Sequence, residues 1–180
     1  MDLNGLCTKK RFRVKLDIAT KTDAVRVCEL LNLAYRGAEG WTTESTLVAG
    51  KRCSESDIIS DIKTPNNYLL VYKADNIIQA CITVQKTDNR AYIGSFAVNP
   101  NLQNKGIGKT VLSLAEQFAV NSFQPEKFIM VVLSSRTELI QYYERRGYQR
   151  NGNIKEYPVD LNVGVPLTPS LTVEELTKNV

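Results

Sequence analysis

The six residues from 103 to 108, Gln-Asn-Lys-Gly-Ile-Gly, form the segment best suited to chemistry. They follow an apolar run that ends at Val98, and they open a run with helical spacing from Ile107 to Val120. The spacing therefore predicts a strand that passes through a tight glycine turn into a helix. The first N–H groups of a helix lack partners within it, and the helix dipole adds partial positive charge there. Such a turn binds anions, and pyrophosphate is the usual one.

Two common phosphate-binding motifs do not fit this segment. Gly108-Lys109-Thr110 matches the end of a P-loop, but the earlier glycine of that motif would fall on Gln103. The dinucleotide fingerprint fails because its third glycine would fall on Val111. The pattern Gln-x-x-Gly-x-Gly after a Val-x-Pro strand end instead resembles the acetyl-coenzyme A signature of the GCN5-related N-acetyltransferase (GNAT) family. The alternative is an ordinary strand-to-helix turn whose glycines permit close packing.

Further segments carry the same resemblance. Residues 142–148, Tyr-Tyr-Glu-Arg-Arg-Gly-Tyr, are similar to the family's aromatic-Tyr-Glu-basic-x-Gly-aromatic segment, which ends its last helix. Residues 34–44 look like the acceptor-side loop in one branch of small-molecule members, and residues 158–169 resemble the same branch. Trp41 in that loop is expected to wall the acceptor pocket or to anchor the loop. The resemblance implies one N-acetyltransferase domain over residues 1–180, with its core at about 11–180.

The resemblance implies that acetyl-CoA is the co-substrate, with its pantetheine arm between two splayed strands. Main-chain groups of Phe96 and Val98 would bond the pantetheine amides. Lys105 and Lys109 are expected to add charge for the phosphates, with a solvated surface role as the alternative. Many members carry Asn where this chain has Arg136, whose guanidinium could reach a phosphate instead. Backbone N–H groups over the turn would hold the pyrophosphate, from Gln103, Asn104, Lys105, Gly106, Ile107 and Gly108.

The chain contains no histidine, which excludes Ser-His-Asp and Cys-His units and the usual zinc sites, and no metal site is predicted. Acid–base chemistry must use Tyr, Glu, Asp, Lys, Cys or water. The family match implies that Tyr143 is the general acid for the departing CoA sulfur. Alternatively, Tyr143 is a core aromatic residue, and its neighbour Tyr142 is interpreted as a packing residue. An N–H group near Val98 is the expected oxyanion donor. Glu44 or Glu39 is the candidate that takes the amine proton, directly or through water. The alternative is that these side chains are solvated loop carboxylates.

Composition bounds the partners. The chain has 180 residues, of which 43% are apolar and 23% charged, and these values suit one soluble globular domain. The net charge of +4, with scattered basic residues, does not indicate nucleic acid. No apolar run approaches the ~20 residues that a membrane helix requires, and residues 1–5 lack a secretory pattern. Without any Cys-x-x-Cys spacing, the four cysteines are expected to be reduced thiols in a cytoplasmic protein: Cys7, Cys28, Cys53 and Cys81.

Hydrophobic spacing predicts the elements that must hold these residues in place. A first helix starts at Thr20 and Asp23 and ends at Gly37. A second, shorter helix starts at Ser54, and a third opens at Ile107. Alternating or apolar runs predict strands over 12–18, 68–72, 77–85, 91–98 and 128–133.

The C-terminal third completes the predicted order. Ser135 and Glu138 form a capping box for a last helix that Gly147 ends, and a strand begins at 148–150. Residues 171–176 are either a short helix or an edge strand. The order βααβββαβα, followed by two further strands, implies an α/β domain around one mixed sheet. With the resemblance, the predicted fold is a single-domain GNAT-like fold, whose mostly antiparallel sheet has splayed central strands and about four flanking helices.

The favoured function is acetyl-CoA-dependent transfer of an acetyl group to the primary amine of a small molecule, by direct attack in a ternary complex. One alternative is acetylation of a protein lysine or N-terminus. Another is a non-catalytic acyl-CoA-binding regulatory module, since a fold does not determine a function. The presence of Tyr143 beside an intact turn favours catalysis. No nucleic-acid or membrane partner is expected, and the oligomeric state stays open, with a homodimer among the options.

Overall fold

The computed structural model describes residues 14–180, so Cys7 and the start of the strand predicted over 12–18 lie outside the described residues. Short 3-10 turns occupy residues 21–23, 100–102 and 159–161. The helices are α1 Ala24–Arg36, α2 Glu55–Lys63, α3 Ile107–Phe123 and α4 Thr137–Glu144. The strands are β1 Leu16–Ile18, β2 Val48–Ala49, β3 Asn67–Ala74, β4 Ile77–Thr87, β5 Arg90–Val98, β6 Lys127–Leu133, β7 Gln149–Glu156, β8 Val165–Pro166 and β9 Thr172–Asn179.

Seven strands form one mixed sheet in the order β1-β3-β4-β5-β6-β9-β7. The neighbours β5 and β6 are parallel, and the other pairs are antiparallel. The parallel pairing ends at Tyr92 and Ile129, although β5 continues to Val98 and β6 to Leu133. The two strands therefore diverge and leave a gap between their carboxyl ends. The predicted fold class, with splayed strands in a mostly antiparallel sheet, is confirmed.

The helices cover both faces of this sheet because side chains alternate along each strand. On β3, Leu70 and Tyr72 belong to a core that contains the buried sides of α3 and α4. Their neighbours Leu69 and Val71 belong to a second core with α1 and α2. The small antiparallel pair of β2 and β8 adds Val48 to a third cluster. The gap thus lies between two firmly packed layers.

Two helix starts carry the capping boxes that the sequence predicts. The N–H of Thr20 donates to the Asp23 carboxylate at 2.9 Å, and the N–H of Ser54 donates to Asp57 at 2.8 Å. The third predicted box, at Ser135, is wrong. The N–H of Arg136 donates to the carbonyl of Leu133 at 2.9 Å, so a turn holds Ser135 and α4 begins only at residue 137.

The segment after residue 171 is a strand, but it is not the edge strand of the prediction. Strand β9 lies between β6 and β7 and pairs with β6 along its whole length, from Lys127 to Leu133. Leu176 of β9 is fully buried as a result, and β7 forms the edge. None of the helices within residues 14–180 has both the length and the apolar content needed to cross a membrane.

Candidate functional site

Strand β5 is bulged where it leaves β6. Between the pairs Cys81–Ala97 and Thr83–Gly94, β4 advances two residues while β5 advances three, and Ser95 adopts a φ of 42°. A bulge of this kind turns the strand and re-aims its groups. Phe96 follows Ser95, and its carbonyl accepts a hydrogen bond from the hydroxyl of Tyr35 on α1 at 3.2 Å. Helix α1 therefore holds the bulge at the mouth of the gap.

Beyond the bulge, the main chain of Val98 faces the gap. The N–H of the next residue, Asn99, donates to the carbonyl of Gln79 on β4 at 2.8 Å. Along an antiparallel ladder, successive residues direct their N–H and C=O groups to alternate sides. The polar groups of Val98 are therefore directed away from β4, where a ligand lying in the gap can meet them.

The turn before α3 presents a row of unpaired donors. Gly106 is the N-cap residue and adopts a φ of 80°, which a glycine adopts without strain. A Cβ on Gly106 would meet no heavy atom within 4 Å, so backbone conformation and not crowding requires glycine there. The backbone N–H groups of residues 104–109 donate no hydrogen bond to any acceptor within residues 14–180. These donors converge at the positive end of a 17-residue helix.

The side chain of Gln103 ties this turn to the loop after α1. Its Oε1 accepts from the N–H of Trp41 at 2.5 Å, and its Nε2 donates to the carbonyl of Val98 at 3.4 Å. Trp41 packs on Tyr142 of α4, with the ring centroids 5.7 Å apart. The indole therefore anchors its loop, which is one of the two roles that the sequence left open, and it lines the cavity at the glycine turn. The other role, a wall of the acceptor pocket, stays a prediction.

A cavity of about 420 Å³, the turn cavity, lies between the glycine turn, the bulge and α4. Two of the predicted cofactor residues do not line it. Lys105 is exposed and donates to the carbonyl of Asn101, and Ile107 packs in the core. The lining consists of Ala34, Tyr35, Trp41, Thr42, Phe96, Ala97, Val98, Gln103, Asn104, Gly106, Gly108, Lys109, Arg136, Leu139, Tyr142, Tyr143, Arg145 and Arg146.

Tyr142 and the two arginines after it are lining residues that the sequence reasoning missed. A Cβ on Gly108 would lie 3.1 Å from the Tyr142 hydroxyl, so the glycine leaves room for this ring. The guanidinium carbon of Arg146 lies 3.3 Å from the Tyr142 ring centroid, and its buried Nε has no partner within residues 14–180. Part of the signal was present, since Arg145 is the basic position of the Tyr143 segment and Arg146 follows it at an unspecified position.

A second cavity, of about 330 Å³, adjoins the first. Side chains from β5, β6, α4 and the segment at 155–163 line it. The two cavities share Tyr35, Phe96, Arg136, Leu139 and Tyr143. They therefore meet at the gap, beside the bulge.

Tyr143 lies at this junction and is only 6% exposed. Its ring packs edge-on against Tyr142 and Tyr148, with centroids 5.3 and 6.0 Å away. Burial raises the pKa of the Tyr143 phenol well above its ordinary value of 10; nearby Tyr35 adds to the rise and the Arg136 charge opposes it. None of the hydrogen bonds between described side chains includes this hydroxyl, so the phenol is a protonated donor that faces the cavities.

Glu44 is buried in an ion-pair cluster, so its description as a solvated loop carboxylate is wrong. One carboxylate oxygen accepts from Arg36 at 2.6 Å and the other from Arg136 at 2.8 Å. Arg136 also donates to the Thr42 hydroxyl, from Nε at 3.3 Å and from Nη2 at 3.2 Å. These contacts direct Arg136 to the acceptor-side loop and not to a phosphate, contrary to the expectation. The other candidate carboxylate, Glu39, is exposed.

No group of three or more His, Cys, Asp or Glu side chains in the part of the chain that the structure describes is arranged to hold a metal ion.

Comparison with known proteins places this geometry in a family. A model of the acetyltransferase (GNAT) family matches residues 25–148. Among solved structures, an IAA acetyltransferase from Bacillus cereus ATCC 14579 is 19% identical with a TM-score of 0.66, over 93% of this chain and 99% of that one. A spermidine N-acetyltransferase chimera from Vibrio cholerae and hSSAT is 14% identical with a TM-score of 0.71, over 92% and 95%. A GNAT family acetyltransferase from Elizabethkingia anophelis with acetyl-CoA bound is 19% identical with a TM-score of 0.64, over 94% and 100%.

Proposed function

The chain belongs to the GNAT acetyltransferase family, and we propose that it transfers an acetyl group from acetyl-CoA directly to the primary amine of a small molecule. Acetyl transfer with acetyl-CoA as the co-substrate follows from the family. The proposal adds the class of acceptor, the places of the two substrates and the roles of the residues. One observation carries it: two cavities meet at a bulged strand and a buried, unpaired tyrosine hydroxyl.

Acetyl-CoA is assigned to the turn cavity. The free N–H groups of residues 104–109 suit a pyrophosphate, because oriented backbone donors at a helix start bind phosphate oxygens. Lys109, Arg145 and Arg146 line the same cavity and supply positive charge. The main chain of Val98 faces the gap; its carbonyl already accepts from the side-chain amide of Gln103 at 3.4 Å, and its N–H is left for the substrate.

The amine acceptor is assigned to the second cavity. The segment at 157–163 covers it and is held in place, since Arg36 and the Tyr157 hydroxyl both donate to the carbonyl of Val163. The pairing of β2 with β8 adds Val48 to the cluster that contains Leu133 and Tyr157, two residues of the cavity lining. A cavity of about 330 Å³ has the size of a small-molecule site, and from this size we infer that the acceptor is a small molecule and not a chain segment of a protein.

The reaction requires one new bond and one broken bond. The amine nitrogen attacks the thioester carbon, the C–N bond forms, and the C–S bond breaks. The carbonyl oxygen gains negative charge, which N–H groups at the bulge and Val98 stabilise. Tyr143 hydrogen-bonds to the sulfur and shares its proton with it as the C–S bond breaks, and the CoA thiolate takes up one proton from water in place of the proton that the amine loses.

The amine proton passes to water or to a carboxylate. The sequence indicates Glu44 as a candidate base, but each of its carboxylate oxygens already accepts a hydrogen bond from an arginine. We therefore propose Glu44 as a positioning residue, which holds Arg136 and Thr42 at the junction of the cavities.

A panel of acceptors tests the proposal: arylamines, polyamines, amino acids and lysine-containing peptides, with CoA release and product mass as readouts. We expect CoA release to match amide formation for at least one small amine, at a higher kcat/KM than for any peptide. Acetylation of peptides alone would overturn the small-molecule assignment. CoA binding without transfer to any acceptor would favour the regulatory module.

A further inference from the structure

The guanidinium of Arg52, which lines the second cavity, has no ionic partner among residues 14–180. Its neighbours Arg36 and Arg136 are both bound by Glu44. Among the ion pairs between residues 14 and 180, none includes Arg52, although it lines this cavity. An arginine presents five donors in a planar fork that matches a carboxylate.

Arg52 is held firmly by its main chain. Its N–H donates to the side-chain oxygen of Asn32 on α1 at 2.7 Å. The amide nitrogen of Asn32 in turn donates to the carbonyls of Cys28 and Cys53, at 2.9 and 3.0 Å. The guanidinium carbon lies 5.1 Å from the ring centroid of Tyr35. The backbone clamp and the aromatic ring leave the guanidinium little freedom to lose when it binds an anion.

The carboxylates near Arg52 are engaged elsewhere or are not ion-paired with it. Asp57, on the wall of an adjoining cavity, accepts from the N–H and hydroxyl of Ser54 at 2.8 and 2.7 Å. Burial raises the pKa of Asp61 on the same wall, although the Arg52 charge opposes this rise. Lys155 and Glu156 also line the second cavity; both are exposed, and their opposite charges add up to zero.

The other residues that line the second cavity indicate which chemical groups the rest of the acceptor carries. Tyr92, Met130, Val132, Leu133 and Tyr157 give the second cavity an apolar and aromatic wall. Such a wall favours an apolar body, because burial of apolar surface stabilises the complex by roughly 25 cal/mol per Å².

The junction of the cavities and the Arg52 guanidinium lie on the same aromatic ring, that of Tyr35. The Tyr35 ring that Arg52 contacts also lines the junction with the turn cavity, and the guanidinium carbon of Arg136 lies 6.0 Å from the same ring centroid. A molecule that places its amine at the junction therefore needs only a short span to reach Arg52.

Resting on the proposed function, we propose that the acceptor is a small primary amine with a carboxylate and an apolar side chain, such as an apolar amino acid, and that Arg52 binds its carboxylate. A charge-assisted, bidentate pair of this kind discriminates strongly against a neutral analogue.

The test compares L-phenylalanine with L-phenylalaninamide, and L-leucine with L-leucinamide. Each pair differs in the charge of one group. Steady-state acetylation and calorimetry on the CoA-bound protein are measured for wild type, Arg52→Gln and Arg52→Lys. Because the amine pKa differs within a pair, the decisive quantity is the ratio of variant to wild type for each compound at one pH.

We expect wild type to favour the acids and Arg52→Gln to lower their kcat/KM by about 10- to 100-fold, mainly through KM. The amides should change by less than about threefold, and Arg52→Lys should restore part of the loss for the acids. Unchanged CoA affinity in both variants checks that the fold survives.

The failures are distinguishable. If Arg52→Gln affects acid and amide equally, or if wild type binds neither acid in preference to its amide, the assignment of Arg52 is overturned while the transfer reaction stands. If no amine yields CoA release, the proposed function fails. Calorimetry then still decides on Arg52, since binding of an acid that is lost in Arg52→Gln supports the carboxylate site and any other pattern overturns it.

Discussion

At the scale of single residues, the environment of Tyr143 decides how it acts. A free phenol has a pKa of about 10 and a thiol about 8.5. Burial raises the pKa of Tyr143 further, so complete transfer of its proton to the sulfur becomes less favourable. We therefore propose that the hydroxyl supports the departing thiolate as a hydrogen-bond donor that shares its proton. The nearby Arg136 charge opposes the rise in pKa.

The substitution Tyr143→Phe keeps the packed ring and removes this donor. We expect kcat to fall by about two orders of magnitude, the usual contribution of a positioned acid, while the CoA dissociation constant changes little. Steady-state kinetics and calorimetry measure the two effects. Tyr142→Phe is the matched control, because it removes a neighbouring hydroxyl that lines only the turn cavity. Equal losses of kcat in the two variants would contradict the assignment of Tyr143 as the donor to the sulfur.

Glu44 holds together the charges at the junction of the cavities, so we expect Glu44→Gln to act first on stability. It would leave the side chains of Arg36 and Arg136, each 10% exposed, without their counter-charge. Breaking a buried pair in this way costs about 3–5 kcal/mol, which denaturant unfolding would measure. Glu39→Gln, at an exposed position of the same loop, should change the unfolding free energy by less than about 0.5 kcal/mol.

The pH profile of the Glu44→Gln variant distinguishes positioning from base catalysis. If Glu44 positions Arg136, the remaining activity should keep the shape of the wild-type profile. If Glu44 accepts the amine proton, the acidic limb of kcat/KM would disappear with it.

At the scale of elements, local signals predict what local contacts decide. Hydrogen bonds within a few residues explain the caps at Thr20 and Ser54, and the positive φ of a glycine explains the turn at Gly106. Each of these features lies where the sequence predicts. Strand β9 pairs with β6 across forty or more residues, and no local pattern encodes its position between β6 and β7. The partner of Arg136 is equally remote, since Glu44 lies 92 positions away. The candidate site was therefore predictable at its turn and not at its ion pairs.

The glycine turn gives the element-scale prediction. Gly106→Asp would add a negative charge among the free N–H groups of residues 104–109, where a phosphate must approach. We expect CoA affinity to fall by tenfold or more in a folded protein, as measured by calorimetry. Gly106→Asn is the matched control, because Asn tolerates the positive φ and carries no charge. CoA affinity that is equal in the two variants would show that the turn does not hold the phosphates.

At the scale of the whole molecule, the divergence of β5 and β6 lets the two cavities meet to which we assign the substrates. The cores on the two faces of the sheet hold the strands apart, and the bulge re-aims β5 at the junction. An acetyl group can then pass from one substrate to the other without a carrier on the protein.

The cysteines are poorly suited to carry the acetyl group. Burial raises the pKa of Cys53 and of Cys81 to about 12, so neither forms the thiolate that a nucleophile requires. Cys28 hydrogen-bonds to the carbonyl of Cys53. We expect alanine at these three positions, and at Cys7 outside the described residues, to leave the turnover per folded molecule largely intact. An acetyl-thioester on any cysteine, detected by mass spectrometry after incubation with acetyl-CoA alone, would contradict this.

Initial velocities over a grid of acetyl-CoA and acceptor concentrations test direct transfer at the junction of the cavities most directly. The acceptor is the amine with the highest kcat/KM in the panel. Attack within a ternary complex predicts double-reciprocal lines that intersect, because both substrates must be bound before any product leaves. Parallel lines, with CoA released before the amine binds, would mean that the protein itself carries the acetyl group, and would contradict the account.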